Sequence, residues 1–122
     1  MRRPLGSALV IGAFATSGAA HLARPELFEP LVPAWLGSPR PWVLGSGVAE
    51  LACSAGLLAR QAWAPAASSA TLVIIWVGNV QMALDVQRSA RPAWQKAAAW
   101  ARLPIQVPLV RAAWTSPTRV PR

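Results

Sequence analysis

Four stretches of the chain are dominated by apolar residues, separated by short polar or proline-rich segments. The first runs from Pro4 to Ala23, about 20 residues, the length that spans a bilayer. The second runs from Trp42 to Arg60, and its one acidic residue is Glu50. The third covers roughly Ala64 to Asp85 and centres on Leu72-Val73-Ile74-Ile75-Trp76-Val77. The fourth, Ala93 to Trp114, is interrupted by Lys96, Arg102, Pro104, Gln106, Pro108 and Arg111. Lys96 and Arg111 lie near its ends and can snorkel, whereas Arg102 lies near the middle. Alone this segment does not read as a membrane helix; beside the other three it reads as one packed into a bundle. The pattern predicts an all-α, integral membrane four-helix bundle. Residues 1–114 form its single domain, and 115–122 a flexible C-terminal tail.

The segment Arg24–Pro41 holds five prolines, which break any long helix. Leu27, Phe28, Leu31, Val32, Trp35 and Leu36 alternate there with Glu26, Glu29 and the prolines. It reads as an amphipathic segment lying at the membrane interface between the first two helices. The first apolar run follows Met1-Arg2-Arg3, and Gly18-Ala19-Ala20 resembles a signal-peptide cleavage site. Because the later runs are equally membrane-like, the first is read as a retained helix.

Composition agrees. Hydrophobic residues make up 54% and charged residues 13%, about half the usual charged share of a soluble domain. With a mean hydropathy of +0.36, this excludes a disordered chain, a charged coiled coil and most soluble enzymes. Lys plus Arg number 12 against 4 Asp plus Glu, a net +8. The cations are spread between apolar runs and form no basic stripe, which points to lipid headgroups and away from nucleic acid. Trp42, Trp63, Trp94 and Trp114 fall at the predicted helix ends, as in an aromatic belt, and Trp35 fits the interfacial segment. Loop cations nearly balance between the two faces, with a lean towards termini inside. The single cysteine, Cys53, forms no internal disulfide, CxxC pair or cysteine-rich zinc site and is read as a packing residue.

Polar residues recur at one depth. Measured from the face holding the long first loop, Glu50 lies roughly 12 Å deep, Arg102 roughly 13 Å and Asn79 roughly 9 Å, at about 1.5 Å per residue. His21 and Asp85 sit nearer that face. A lone charge at mid-depth is costly, so a Glu50–Arg102 ion pair completed by Asn79 is the expected arrangement. On the second helix Gly47, Glu50, Cys53 and Ser54 share a face, and Arg102 and Gln106 share one on the fourth. Pro104 and Pro108 lack N–H groups, so the carbonyls of Trp100 and Pro104 need other donors, Arg102 among them. Such a layer either fixes helix register or binds a ligand. One histidine gives no metal site, and Asp85 beside Gln81 and Arg88 reads as a solvated cap. Phosphate loops, HExxH, Ser-His-Asp spacing and paired intramembrane carboxylates are absent.

Five short motifs in order resemble the DoxX-like membrane family over roughly residues 5–114. They are Gly18-Ala19-Ala20-His21-Leu22 with Arg24-Pro25-Glu26, Leu31-Val32-Pro33-Ala34-Trp35-Leu36 with Pro39-Arg40, Ser46-Gly47-Val48-Ala49-Glu50 with Gly56-Leu57-Leu58, Asn79-Val80-Gln81-Met82-Ala83, and Arg102-Leu103-Pro104-Ile105-Gln106. The resemblance implies four membrane helices with the long loop between the first two. It carries over motif positions His21, Pro33, Gly47, Glu50, Asn79, Arg102, Pro104 and Gln106. Some relatives in that family are membrane partners of redox enzymes near the quinone pool, which suggests a multi-pass protein of the bacterial inner membrane.

Three functions follow as expectations. The first is the membrane subunit of a redox-linked complex. His21, Glu50, Asn79, Arg102 and Gln106 would form its polar layer, binding a quinone or lipid head group beside Trp76 and Trp100, with the redox cofactor on a partner. The second is a scaffold or assembly subunit with no ligand, in contact with a protein partner or a second copy. The third is a stand-alone enzyme acting on a lipophilic ring compound, with Glu50 as acid or base.

Overall fold

The computed structural model describes residues 4–32 and 34–119. Pro33, a motif position above, and the terminal Arg2, Arg3 and Arg122 lie outside the described residues. The described chain forms four α-helices: α1 (Leu5–Ala23), α2 (Pro39–Leu58), α3 (Ala64–Gln87) and α4 (Ala93–Trp114). The first three are long and apolar enough to cross a membrane; α4 is not among them. Its three cations and its glutamines lower its hydropathy, as the sequence pattern indicates.

Helix α2 starts three residues before the expected Trp42. Pro39 and Pro41 occupy its first turn, where a missing N–H costs nothing. Gly37 precedes it with φ 83, a left-handed turn suited to glycine. Helix α4 continues through Pro104 and Pro108 without a break. The connection from α2 to α3 turns at Arg60, φ 57, where the amides of Arg60 and Gln61 reach back to the carbonyls of Leu57 and Gly56.

The helices run up and down around a ring. Helices α1 and α2 are antiparallel and close: a Cβ added at Gly18 would lie 2.9 Å from the Gly47 carbonyl. Farther along the same seam, the Ser54 hydroxyl donates to the Ile11 carbonyl at 2.8 Å. Helices α3 and α4 pair in the same sense, with Ser69 facing Val110 and Trp76 facing Leu103. Cys53 meets Thr71 across α2 and α3. Helix α1 closes on α4 at Gly6 and Ala112. Helices α2 and α4 therefore stand diagonally.

Two apolar clusters fill the interior. Val10, Phe14, Cys53, Leu57, Leu72 and Ala113 join all four helices in the half nearer the termini. Met82, Ala83, Ala99 and Leu103 join α3 to α4 in the half nearer the long loop. The matching space between α1 and α2 in that half holds polar side chains.

The long loop forms three short three-ten turns, Pro25–Leu27, Glu29–Leu31 and Ala34–Leu36. Arg24 is paired with Glu26 at 2.7 Å, and Arg40 reaches back to Glu29 at 2.6 Å. Beyond α4, Ser116 is buried and donates to Ser7 Oγ at 2.9 Å, and the Arg119 amide donates to the Arg60 carbonyl at 2.8 Å. Through these bonds the stretch 115–119 contacts α1 and the α2–α3 turn.

Candidate functional site

The polar side chains between α1 and α2 centre on Glu50, which is 2% exposed. The small residues Gly18 and Gly47 let the two helices approach, so a glutamate at 50 is enclosed by α1. His21 Nδ1 lies 3.6 Å from Glu50 Oε2. The same nitrogen lies 2.6 Å from the Ser17 carbonyl, one helical turn back. A carbonyl only accepts, so Nδ1 carries the hydrogen and Nε2 is the acceptor of the neutral ring. The Ser17 hydroxyl also faces Glu50. Glu50 Oε2 has no hydrogen-bond partner. A buried carboxylate oxygen without a donor is unusual and calls for an explanation.

Phe28, from the long loop, stacks on His21 with ring centroids 4.0 Å apart. It covers the pair from the loop side. Beside it, a shallow groove of about 670 Å³ runs down the outer face of α1, lined by Gly12, Thr16, Ser17, Ala20 and Phe28 among others.

The expected Glu50–Arg102 pair is not formed. Glu50 on α2 faces α1, and Arg102 on α4 stands across the diagonal. Arg102 is exposed, with its guanidinium 3.8 Å from Met82 Sδ. It lines a separate groove with Arg91, Trp94 and Gln95. Asn79 is buried on α3, and among the described residues no hydrogen bond joins it to Glu50 or Arg102. Gln106 lies at a third place, between α3 and α4, with a buried Oε1 that has no donor. Depth placed these residues in one layer; azimuth around the bundle separates them. Of the five expected site residues, the structure brings together His21 and Glu50.

Ser17 and Phe28 complete the site, and sequence reasoning missed both. Ser17 was detectable as the residue four before His21, on the same helix face. Phe28 depends on how the proline-rich loop folds back. The donor near the α4 prolines also differs from expectation: the Trp76 indole donates to the Leu103 carbonyl at 3.1 Å. Trp100 donates instead to Gln87 Oε1 at 3.2 Å. Cys53 is buried in the core, as a packing residue. Asp85 accepts from Gln81 at 3.0 Å. Among the described residues no three His, Cys, Asp or Glu side chains are grouped to hold a metal ion.

These features define a small all-helical protein with three helices able to cross a membrane and a buried acid–imidazole pair between the first two. Residues 10–116 match the domain of unknown function DUF8561, and the chain belongs to that family. No curated protein and no solved structure matches the chain.

Proposed function

We propose that this chain is a multi-pass protein of the bacterial inner membrane that binds the head group of a lipophilic small molecule, of the quinone class, at Ser17, His21 and Glu50. The outer surface supports membrane insertion: Leu5, Leu9, Val48, Ile74, Val77, Ile105 and Val107 are all more than half exposed. The tryptophans support it too. Trp35, Trp42, Trp63, Trp94 and Trp114 are each at least 50% exposed near the ends of the bundle. On α4, Trp94 and Trp114 are 20 residues apart. At about 1.5 Å per residue they stand about 30 Å apart, the thickness of the hydrocarbon core. On this reading α4 also spans, and the long loop lies at the interface.

The observation that carries the ligand reading is the unpartnered Glu50 Oε2 beside His21. Between them the hydroxyl, carboxyl and imidazole offer both donors and acceptors to a ring carbonyl or hydroxyl. Phe28 supplies an aromatic face, and the α1 groove accommodates an apolar tail. The resemblance to the DoxX-like family supports the same class of ligand. Arg102, Asn79 and Gln106 take no part in this site. The chain acts as the membrane subunit of a redox-linked complex, with the electron-transfer cofactor on a partner.

A second reading, an assembly subunit without a ligand, is favoured by the exposed small residues Ala8, Gly12 and Thr16 on α1, which suit a neighbouring helix. Gentle extraction from native membranes followed by quinone analysis and native mass spectrometry separates the two. Co-purifying quinone that is lost in Glu50→Leu supports the site. Stoichiometric partner chains with no quinone favour the assembly role.

A further inference from the structure

The four acidic residues are unevenly placed. Glu26 and Glu29 lie in the long loop, Asp85 lies near the loop end of α3, and Glu50 is buried. The opposite end, where the chain termini and the α2–α3 turn meet, has no acid in its sequence segments. It carries Arg111 on α4, Arg119 beyond it and Arg60 in the α2–α3 turn. At the loop end Arg24 and Arg40 pair with Glu26 and Glu29, and Arg88, Arg91 and Lys96 lie there with Asp85. Arg111, in the last turn of α4, is exposed at the end whose segments hold no Asp or Glu.

A lateral groove of about 410 Å³ opens at that end between α3 and α4. Val73, Trp76, Val107 and Val110 make its walls apolar. Arg111 and Trp114 stand at its mouth, and Gln106 lies deeper. Along α4 the lining runs from Gln106 to Trp114, eight residues or about 12 Å. That is close to the depth of one leaflet, half of a hydrocarbon core about 30 Å thick. Arg111 also borders a smaller groove between α1 and α4 that includes Pro4, Ser7 and Thr115.

We propose that this groove is a binding site for one anionic phospholipid. An acyl chain lies along Trp76, Val107 and Val110, and the phosphate meets Arg111 beside the Trp114 ring. The chemistry fits each part. Arginine offers a planar donor fork to phosphate oxygens. Indole favours the headgroup level. No Asp or Glu in the sequence segments at this end competes for Arg111. The Gln106 amide supplies a donor for a lipid ester carbonyl. The site is distinct from Glu50, but it rests on the membrane reading.

The test is native mass spectrometry of the full chain in detergent, titrated with phosphatidylglycerol or phosphatidylcholine of the same acyl chains. The expected result is one retained phosphatidylglycerol per chain and weaker retention of phosphatidylcholine. Arg111→Gln lowers phosphatidylglycerol affinity about fivefold, the effect of one basic residue at an anionic surface. Val107→Trp fills the groove and lowers it comparably with the charge intact. Arg91→Gln, at the loop end, leaves it unchanged. Equal retention of the two lipids overturns the proposal, as does equal loss in Arg91→Gln and Arg111→Gln. Resistance of the chain to carbonate extraction from cell membranes reports insertion separately, so release there overturns the membrane reading rather than the choice of lipid.

Discussion

His21 on α1 and Glu50 on α2 meet at 3.6 Å inside the first helix pair, beneath the ring of Phe28. The contact exists because Gly18 and Gly47 remove the side chains that would hold the helices apart. Removing one member leaves the other buried with fewer partners. Glu50→Ala is expected to destabilise the bundle by about 1–3 kcal/mol, with Glu50→Gln costing less because an amide still donates and accepts. Thermal unfolding in one detergent, followed by circular dichroism, measures both. Equal midpoints for wild type and Glu50→Ala refute a structural role for the pair.

The glycines give a sharper test of the same seam. A Cβ at Gly18 would lie 2.8 Å from Leu51 Cγ and 2.9 Å from the Gly47 carbonyl, and backbone cannot move aside cheaply. Gly18→Ala is expected to cost about 1–3 kcal/mol as overpacking. Gly12, on the outer face of the same helix, has nothing within 4 Å of its added Cβ. Gly12→Ala therefore stays within about 0.5 kcal/mol of wild type or gains slightly from helix propensity. Both variants belong in one unfolding series, where similar losses contradict the packing argument.

Loop charge gives a pH dependence. The hydrogen bond from Arg24, joined by the Glu26 backbone amide, holds the Glu26 carboxyl below its ordinary value. A lowered folded value means that the contribution is present above the unfolded value. It is lost as pH falls through the folded one. Because Glu26 is exposed, the expected consequence is local. A carboxyl-selective NMR titration should place the Glu26 midpoint below 4.5 and move it upward in Arg24→Gln. An unchanged midpoint in that variant removes the Arg24 pairing as its cause.

Much of the fold was legible in the sequence. The α4 limits, Ala93 and Trp114, and the start of α3 at Ala64 follow from apolar runs bounded by proline and polar residues. The proline pattern predicts α2 to start at Trp42, whereas Pro39 and Pro41 lie in its first turn, where proline is tolerated. The site was less legible. Rise per residue gives depth from sequence alone, but the face each residue presents depends on how the helices pack. Glu50 and Arg102 share a depth and differ in azimuth. Ser17 shares a face with His21 by spacing, whereas Phe28 reaches His21 through the three-ten turn Pro25–Leu27, which no periodicity announces.

Arg102 tests the difference between depth and azimuth directly. Depth alone makes it the partner of Glu50, so that Arg102→Leu would strand a buried acid and abolish ligand binding. The structure places its guanidinium on an exposed face, against Met82 Sδ. The expected effect of Arg102→Leu on unfolding is therefore small, within about 0.5 kcal/mol. Replacing a mid-helix arginine by leucine also favours insertion of α4 into a bilayer, by about 3 kcal/mol on insertion scales. Two measurements check this: the unfolding midpoint in detergent, and the share of glycosylation-tagged α4 that inserts. Collapse of the bundle in Arg102→Leu would restore the ion pair that depth suggested. An unchanged midpoint with more efficient insertion places Arg102 at the surface of the bundle and leaves Glu50 to His21 and Ser17.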